Sequence, residues 1–161
     1  MGLDKAEKRV GIQAGKDLEM AVLGAPKIRD LKNTGNYMKF DDAVAYVKSL
    51  EQPTRKSDAI TKLRKRVAEL CRLHPHQIGF YSAVGTPLDF YHGVDAFFEK
   101  SGQIVTMDVS MRDKEIQKAT VLLPVEYDAE GGVKIADEDI ERASRKIVHE
   151  FGNTAAQRKV A

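Results

Sequence analysis

The chain has 161 residues, 42% of them hydrophobic and 31% charged, with a net charge of +2 and one cysteine, Cys71. That suits one domain of ordinary size with an appended element; it is too apolar for a disordered chain and has no run near the roughly 20 apolar residues of a membrane span. Asp4, Lys5, Glu7, Lys8 and Arg9 stand where a signal peptide needs its apolar stretch, and a single cysteine makes no internal disulfide, so a cytoplasmic protein is expected.

Leu18, Ala21, Val22 and Ala25 recur at helical spacing until Gly24 and Pro26 end the pattern, which predicts a first helix over 5–23. A polar stretch with Asn33, Gly35 and Asn36 follows. Asp41 and Asp42 then open a short helix over 41–50, broken at Pro53. Ser57 is placed to cap a long basic helix in which Ile60, Leu63, Val67, Leu70 and Cys71 form one apolar stripe. Cys71 on that stripe reads as a small hydrophobe rather than a nucleophile. Residues 55–72 carry seven Lys or Arg against two acids, whereas 126–141 carry seven acids against Lys134. A basic helix can follow a phosphate backbone through Lys62, Arg64, Lys65 and Arg66; a solvated helix surface carries the same pattern.

Beyond His74-Pro75-His76 the chain turns strand-like. Residues 78–84, 93–99, 103–111 and 119–127 have strand length and β-rich composition, with Gly85-Thr86-Pro87 as a loop after the first. Ile140, Ala143, Ile147, Val148 and Phe151 predict a C-terminal helix over 137–151, and the last ten residues are expected to fray. The reading is an N-terminal helical segment (1–54), an α/β core (55–151) and a flexible tail (152–161) in one compact domain. Its fold class is α+β, with a central mixed sheet whose antiparallel hairpin is flanked by helices.

Asp95 and Asp108 interrupt two of the strand-like runs, and Asp is depleted from strands. If Ser101-Gly102 is a two-residue hairpin loop, Val94 faces Val109, Ala96 faces Met107 and Phe98 faces Val105 on one apolar face. The same register sets Asp95 opposite Asp108 on the other face, beside Phe97 with Thr106 and Glu99 with Ile104. Two carboxylates so placed repel unless a divalent cation such as Mg²⁺ or Mn²⁺ lies between them; if that face is open to water they are surface residues.

The order helix, strand, hairpin with an acid on each arm, strand and helix resembles the PD-(D/E)xK nuclease superfamily, and the fold it implies is restriction-endonuclease-like. The resemblance covers about 55–125, extended by the first helix, and matches Asp95 and Asp108 to the two acids that bind Mg²⁺. It implies a helix glutamate, for which Glu19 at the rim of the first helix's stripe is favoured over the water-facing Glu69. Ser110 stands where the superfamily has its lysine, so Lys114 is the substitute expected to act in catalysis, with Lys118 and Lys100 behind it. The implied activity is phosphodiester hydrolysis on nucleic acid, DNA ahead of RNA; the alternative is a non-catalytic nucleic-acid-binding or assembly protein of the same fold. A membrane partner is not expected, and a homo-oligomer is allowed.

Other signals point to no further chemistry. His74, His76 and His92 lack the spacing of metalloprotease sites, so no zinc is assigned. No P-loop, dinucleotide glycine fingerprint or Gly-x-Ser-x-Gly elbow occurs. Tyr81, Phe90 and Tyr91 flank the GTPLDFYHG loop, where rings can stack on bases or fill a core.

Overall fold

The computed structural model describes residues 17–28, 37–54, 57–111, 119–130 and 132–160, with 153–160 as backbone only. Ser101 and Gly102 take left-handed backbone angles, φ 49° and 78°, the conformation a two-residue hairpin turn demands. The arms they join are β2 (Ala96–Lys100) and β3 (Gln103–Met111), with Ala96 opposite Met107, Phe98 opposite Val105 and Glu99 opposite Ile104. The expected register therefore holds along the whole of β2. On the other side of β2 lies antiparallel β1 (Gly79–Ser82), Phe80 facing Phe98. Parallel to β3 runs β4 (Val121–Tyr127), and the two-residue β5 (Val133–Lys134) pairs antiparallel with its end. Among the described residues the sheet is thus five-stranded and mixed, in the order β1-β2-β3-β4-β5.

Helices cover both faces. Residues 17–23 form α1, followed by α2 (Phe40–Ser49), α3 (Asp58–Cys71), α4 (Pro87–His92) and α5 (Asp137–Val160). Leu18 and Val22 of α1, the Ile60–Leu63–Val67 stripe of α3, and Ile147 and Phe151 of α5 bury against Phe98, Val105, Met107 and Val109. Against the opposite side, Ala43, Val44 and Val47 of α2 and Leu88 of α4 pack with Phe97, Ala83 and Val94. Each Val, Leu, Ile, Phe or Met among them contributes about 1.5–3 kcal/mol when fully buried. The α+β architecture with a central antiparallel hairpin flanked by helices is as the sequence implies.

Ser57 caps α3 as its position suggests, its Oγ accepting from the Ile60 N–H at 3.3 Å. Cys71 is half-buried at the end of that helix, and burial pushes its thiol pKa up, away from nucleophilic character.

Three features depart from expectation. Helix α4 occupies part of the stretch read as loop; Pro87 sits in its first turn and Gly93, at φ 65°, caps its end. It is too short to show a periodic pattern. Helix α5 continues to Val160 through the residues expected to fray, where Ala155, Ala156, Gln157, Arg158 and Lys159 are strong helix formers. Val94, expected opposite Val109, belongs instead to the cluster with Phe97, because the ladder changes just before β2. Residues 5–16, expected in the first helix, and Arg55, Lys56, Lys114 and Lys118 lie outside the described residues.

Candidate functional site

The change of ladder is centred on Asp95. Its N–H donates to the Met107 carbonyl at 3.1 Å and its carbonyl accepts from the Ala83 N–H at 2.8 Å. Met107 is already the partner of Ala96, so Asp95 is displaced by one position from the hairpin register. The backbone of β3 is left needing a partner beyond that point, and the Asp95 side chain supplies it: Oδ2 accepts from the Val109 N–H at 2.8 Å. The aspartate is therefore an internal cap for a strand that outruns its neighbour.

Asp95 and Asp108 are each only 3% exposed. The Asp108 carboxyl adjoins that of Asp95, and two buried acids so placed favour the neutral form of Asp95. Burial, first, then the bond and charge of Asp108 and the charge of Glu19, drive the Asp95 carboxyl far above the usual carboxylate range, against the opposing Val109 N–H. Asp108 itself is on β3, opposite Leu122 of β4.

Two more acids converge on Asp95 from helices. Glu19 of α1, Asp89 of α4 and Asp95 each offer an oxygen, and the three oxygens lie within 4.8 Å of one another. Asp89 is oriented by the turn ahead of its helix, its Oδ2 accepting from the Gly85 N–H at 2.9 Å. Carboxylate oxygens on separate elements are the donors that hard divalent cations take, and the set fits Mg²⁺ or Mn²⁺ better than a soft ion; acidic groups also cluster without an ion. Glu19 was legible as the rim of a helical stripe. Asp89 was not singled out, although Pro87, an acid two residues on, and Gly93 are the start and stop signals of a short helix.

Ser110, where the resemblance implies a lysine, is buried, and its hydroxyl donates to the Met111 carbonyl at 3.1 Å. Lys100 is at the far end of β2 from Asp95, about 16 Å away at the rise of a strand, and its ammonium sits 5.5 Å from the Phe151 ring centre. It is too distant to stand in for that lysine.

The basic helix divides into two pairs. Lys62 and Lys65 are exposed. Arg64 donates from Nε to the Ile78 carbonyl at 2.8 Å, tying α3 to the start of β1. Arg66 grips Glu141 with two bonds of 2.7 and 2.9 Å and also meets Glu69, so its guanidinium pKa is raised and Glu141 is held below the usual carboxylate range. Glu141 comes from the acidic stretch of the sequence. The charge polarisation seen along the chain is thus partly cancelled in space.

Among the aromatics, Tyr81 stacks on Phe97 with centres 5.0 Å apart, whereas Phe90 is 79% exposed. His92 bonds the Met38 carbonyl at 2.8 Å and meets Phe40 edge-on, apart from the other two histidines singled out in the sequence, which contact each other. Among the described residues no helix is long and apolar enough to cross a membrane. No protein-family model, curated protein or solved structure matches the chain.

Proposed function

We propose that this chain is a Mg²⁺- or Mn²⁺-dependent phosphodiesterase of restriction-endonuclease-like fold, acting on nucleic acid, with DNA ahead of RNA. The observation that carries the reading is the convergence of Glu19 and Asp89 on Asp95, whose buried carboxyl adjoins that of Asp108 at the start of the central hairpin. A helix glutamate beside a hairpin acid pair is the arrangement the resemblance implies, and Asp89 adds a fourth carboxyl to it. A divalent cation held there would polarise a phosphoryl oxygen and make water a better nucleophile. Asp95 would give up its proton on loading, since carboxylates ligate in the ionised form. Lys62 and Lys65 supply exposed positive charge for a phosphate backbone. Lys114 remains the proposed stand-in for the missing lysine.

A second reading, a binding protein that keeps the fold without the chemistry, is favoured by Ser110, whose hydroxyl is committed to the Met111 carbonyl. Calorimetric titration of Mn²⁺ into the wild type, Asp95→Asn and Asp89→Asn, with a nicking assay on plasmid and single-stranded substrates, separates the two. The enzyme reading expects metal binding and cleavage that both fail in Asp95→Asn, and cleavage that fails in Lys114→Ala while the metal still binds. Metal and nucleic-acid binding with no cleavage of either substrate would establish the second reading; no metal binding would sink the first.

A further inference from the structure

His74 and His76 flank Pro75 in a single 3₁₀ turn, Pro75–Gln77. The turn is closed from both ends: the Gln77 N–H donates to the His74 carbonyl at 2.9 Å, and the His74 N–H donates to the Gln77 side-chain Oε1 at 2.8 Å. Pro75 fixes one φ angle within it. Both imidazoles stand in the open, with ring centres 4.3 Å apart, and their Nδ1 atoms are 2.6 Å from each other. Two ring nitrogens meet at that separation when one Nδ1–H donates to the other, or when both address the same acceptor of lone pairs.

We propose that His74 and His76 form a bidentate site for a divalent d-block cation of tetragonal preference, copper(II) first and nickel(II) second. The bite angle makes the selection. With metal–nitrogen bonds of about 2.0–2.1 Å, nitrogens 2.6 Å apart subtend about 80° at the ion. That is near the roughly 90° between neighbouring ligands in square-planar and octahedral coordination; tetrahedral zinc would need the nitrogens about 3.3 Å apart. Imidazole nitrogen suits copper and nickel, and copper(II) heads the affinity order of divalent first-row metals. For both Nδ1 atoms to ligate, the ring now donating moves its proton to its own Nε2, so no charge is lost from the pair. Solvent fills the remaining positions, because among the described residues no third His, Cys, Asp or Glu joins the two. The site is separate in chemistry from the carboxylate group, whose hard oxygens suit Mg²⁺ or Mn²⁺.

The test is titration of Cu²⁺ into the full chain in saturating Mg²⁺, followed by calorimetry and electron paramagnetic resonance. One site is expected whose nitrogen hyperfine pattern reports two imidazoles. His74→Ala and His76→Ala should each weaken it at least tenfold and leave a one-imidazole pattern or none, whereas His92→Ala and His149→Ala should leave it intact. Both test positions are exposed, and circular dichroism of the variants verifies the fold. A wild-type spectrum with one imidazole or none, or unchanged affinity in the His74→Ala/His76→Ala double variant, would overturn the proposal and leave the pair as a hydrogen-bonded contact only.

Discussion

Asp95→Asn tests the proton at the centre of the carboxyl group. The amide is close to isosteric with the protonated acid: its oxygen can still accept from the Val109 N–H and its NH₂ can donate to Asp108. What it removes is the ionisation. In the unfolded chain Asp95 titrates near 4, whereas in the fold its pKa is strongly raised, mainly by burial and the Asp108 contact. Between those values the folded state holds one proton more than the unfolded state. Stability is therefore complete below the unfolded pKa and falls as pH rises, at up to about 1.4 kcal/mol per pH unit for one proton. From pH 5 to 8 the ceiling is about 4 kcal/mol. Urea denaturation of wild type and Asp95→Asn at several pH values, without divalent metal, gives the difference free of other titrating groups. The variant should gain on the wild type steadily as pH rises. A gap that stays constant from pH 5 to 8 would mean that Asp95 is not protonated in the fold, and the account of the buried pair would fail. Added Mn²⁺ should then narrow the gap by stabilising only the wild type, by about 2.7 kcal/mol at a hundredfold excess over Kd.

The other expectations concern the basic helix and the supports of the hairpin. If α3 follows phosphates, replacing Lys62 and Lys65 together by Ala should weaken DNA binding and flatten its salt dependence by about two phosphate contacts, as read by fluorescence anisotropy across a salt series. Arg66→Ala should lower the melting temperature and leave that salt slope unchanged, because its guanidinium is spent on Glu141. Gln52 pairs by its side chain with both the N–H and the carbonyl of buried Ser82, at 2.8 and 3.2 Å, so Gln52→Ala should cost about 1–3 kcal/mol in urea denaturation by stranding those groups.

Hairpin, caps and core stripes were legible in the sequence because each rests on local chemistry. Ser101-Gly102 fixes a turn, the turn fixes the register, and the register puts Ala96, Phe98, Val105 and Met107 on one face. Where a tertiary contact overrides the local rule, the reading breaks: Val94 and Asp95 follow β1 and α4 rather than the ladder, since Asp95 is bonded to Ala83 as well as Met107. Periodicity was also blind to α4, which makes fewer than two turns, and so Asp89 was missed beside Glu19, which lies next to the readable stripe of Leu18, Ala21 and Val22. Arg64 and Arg66 show the same limit on the surface. A linear count of charge sees seven cations together, but it cannot see Glu141 folding back onto one of them.

The four carboxyl groups also bear on why Asp95 is an acid at all. Its structural task, accepting the Val109 N–H where β3 outruns β2, needs only an oxygen. Asparagine would supply that oxygen and could donate to Asp108, without ionisation to suppress and without the repulsion of Glu19. Keeping an aspartate there lowers stability at neutral pH, since a buried carboxyl forced to hold its proton gives up the free energy of ionising in water. Groups whose environment strongly shifts their titration concentrate at working sites, where the cost in stability is recovered in binding or chemistry. The three acids around Asp95 make a cation the natural replacement for the proton it carries, and on the proposed reading that exchange, carboxylate for carboxylic acid on loading, would make phosphodiesterase activity depend on both metal and pH.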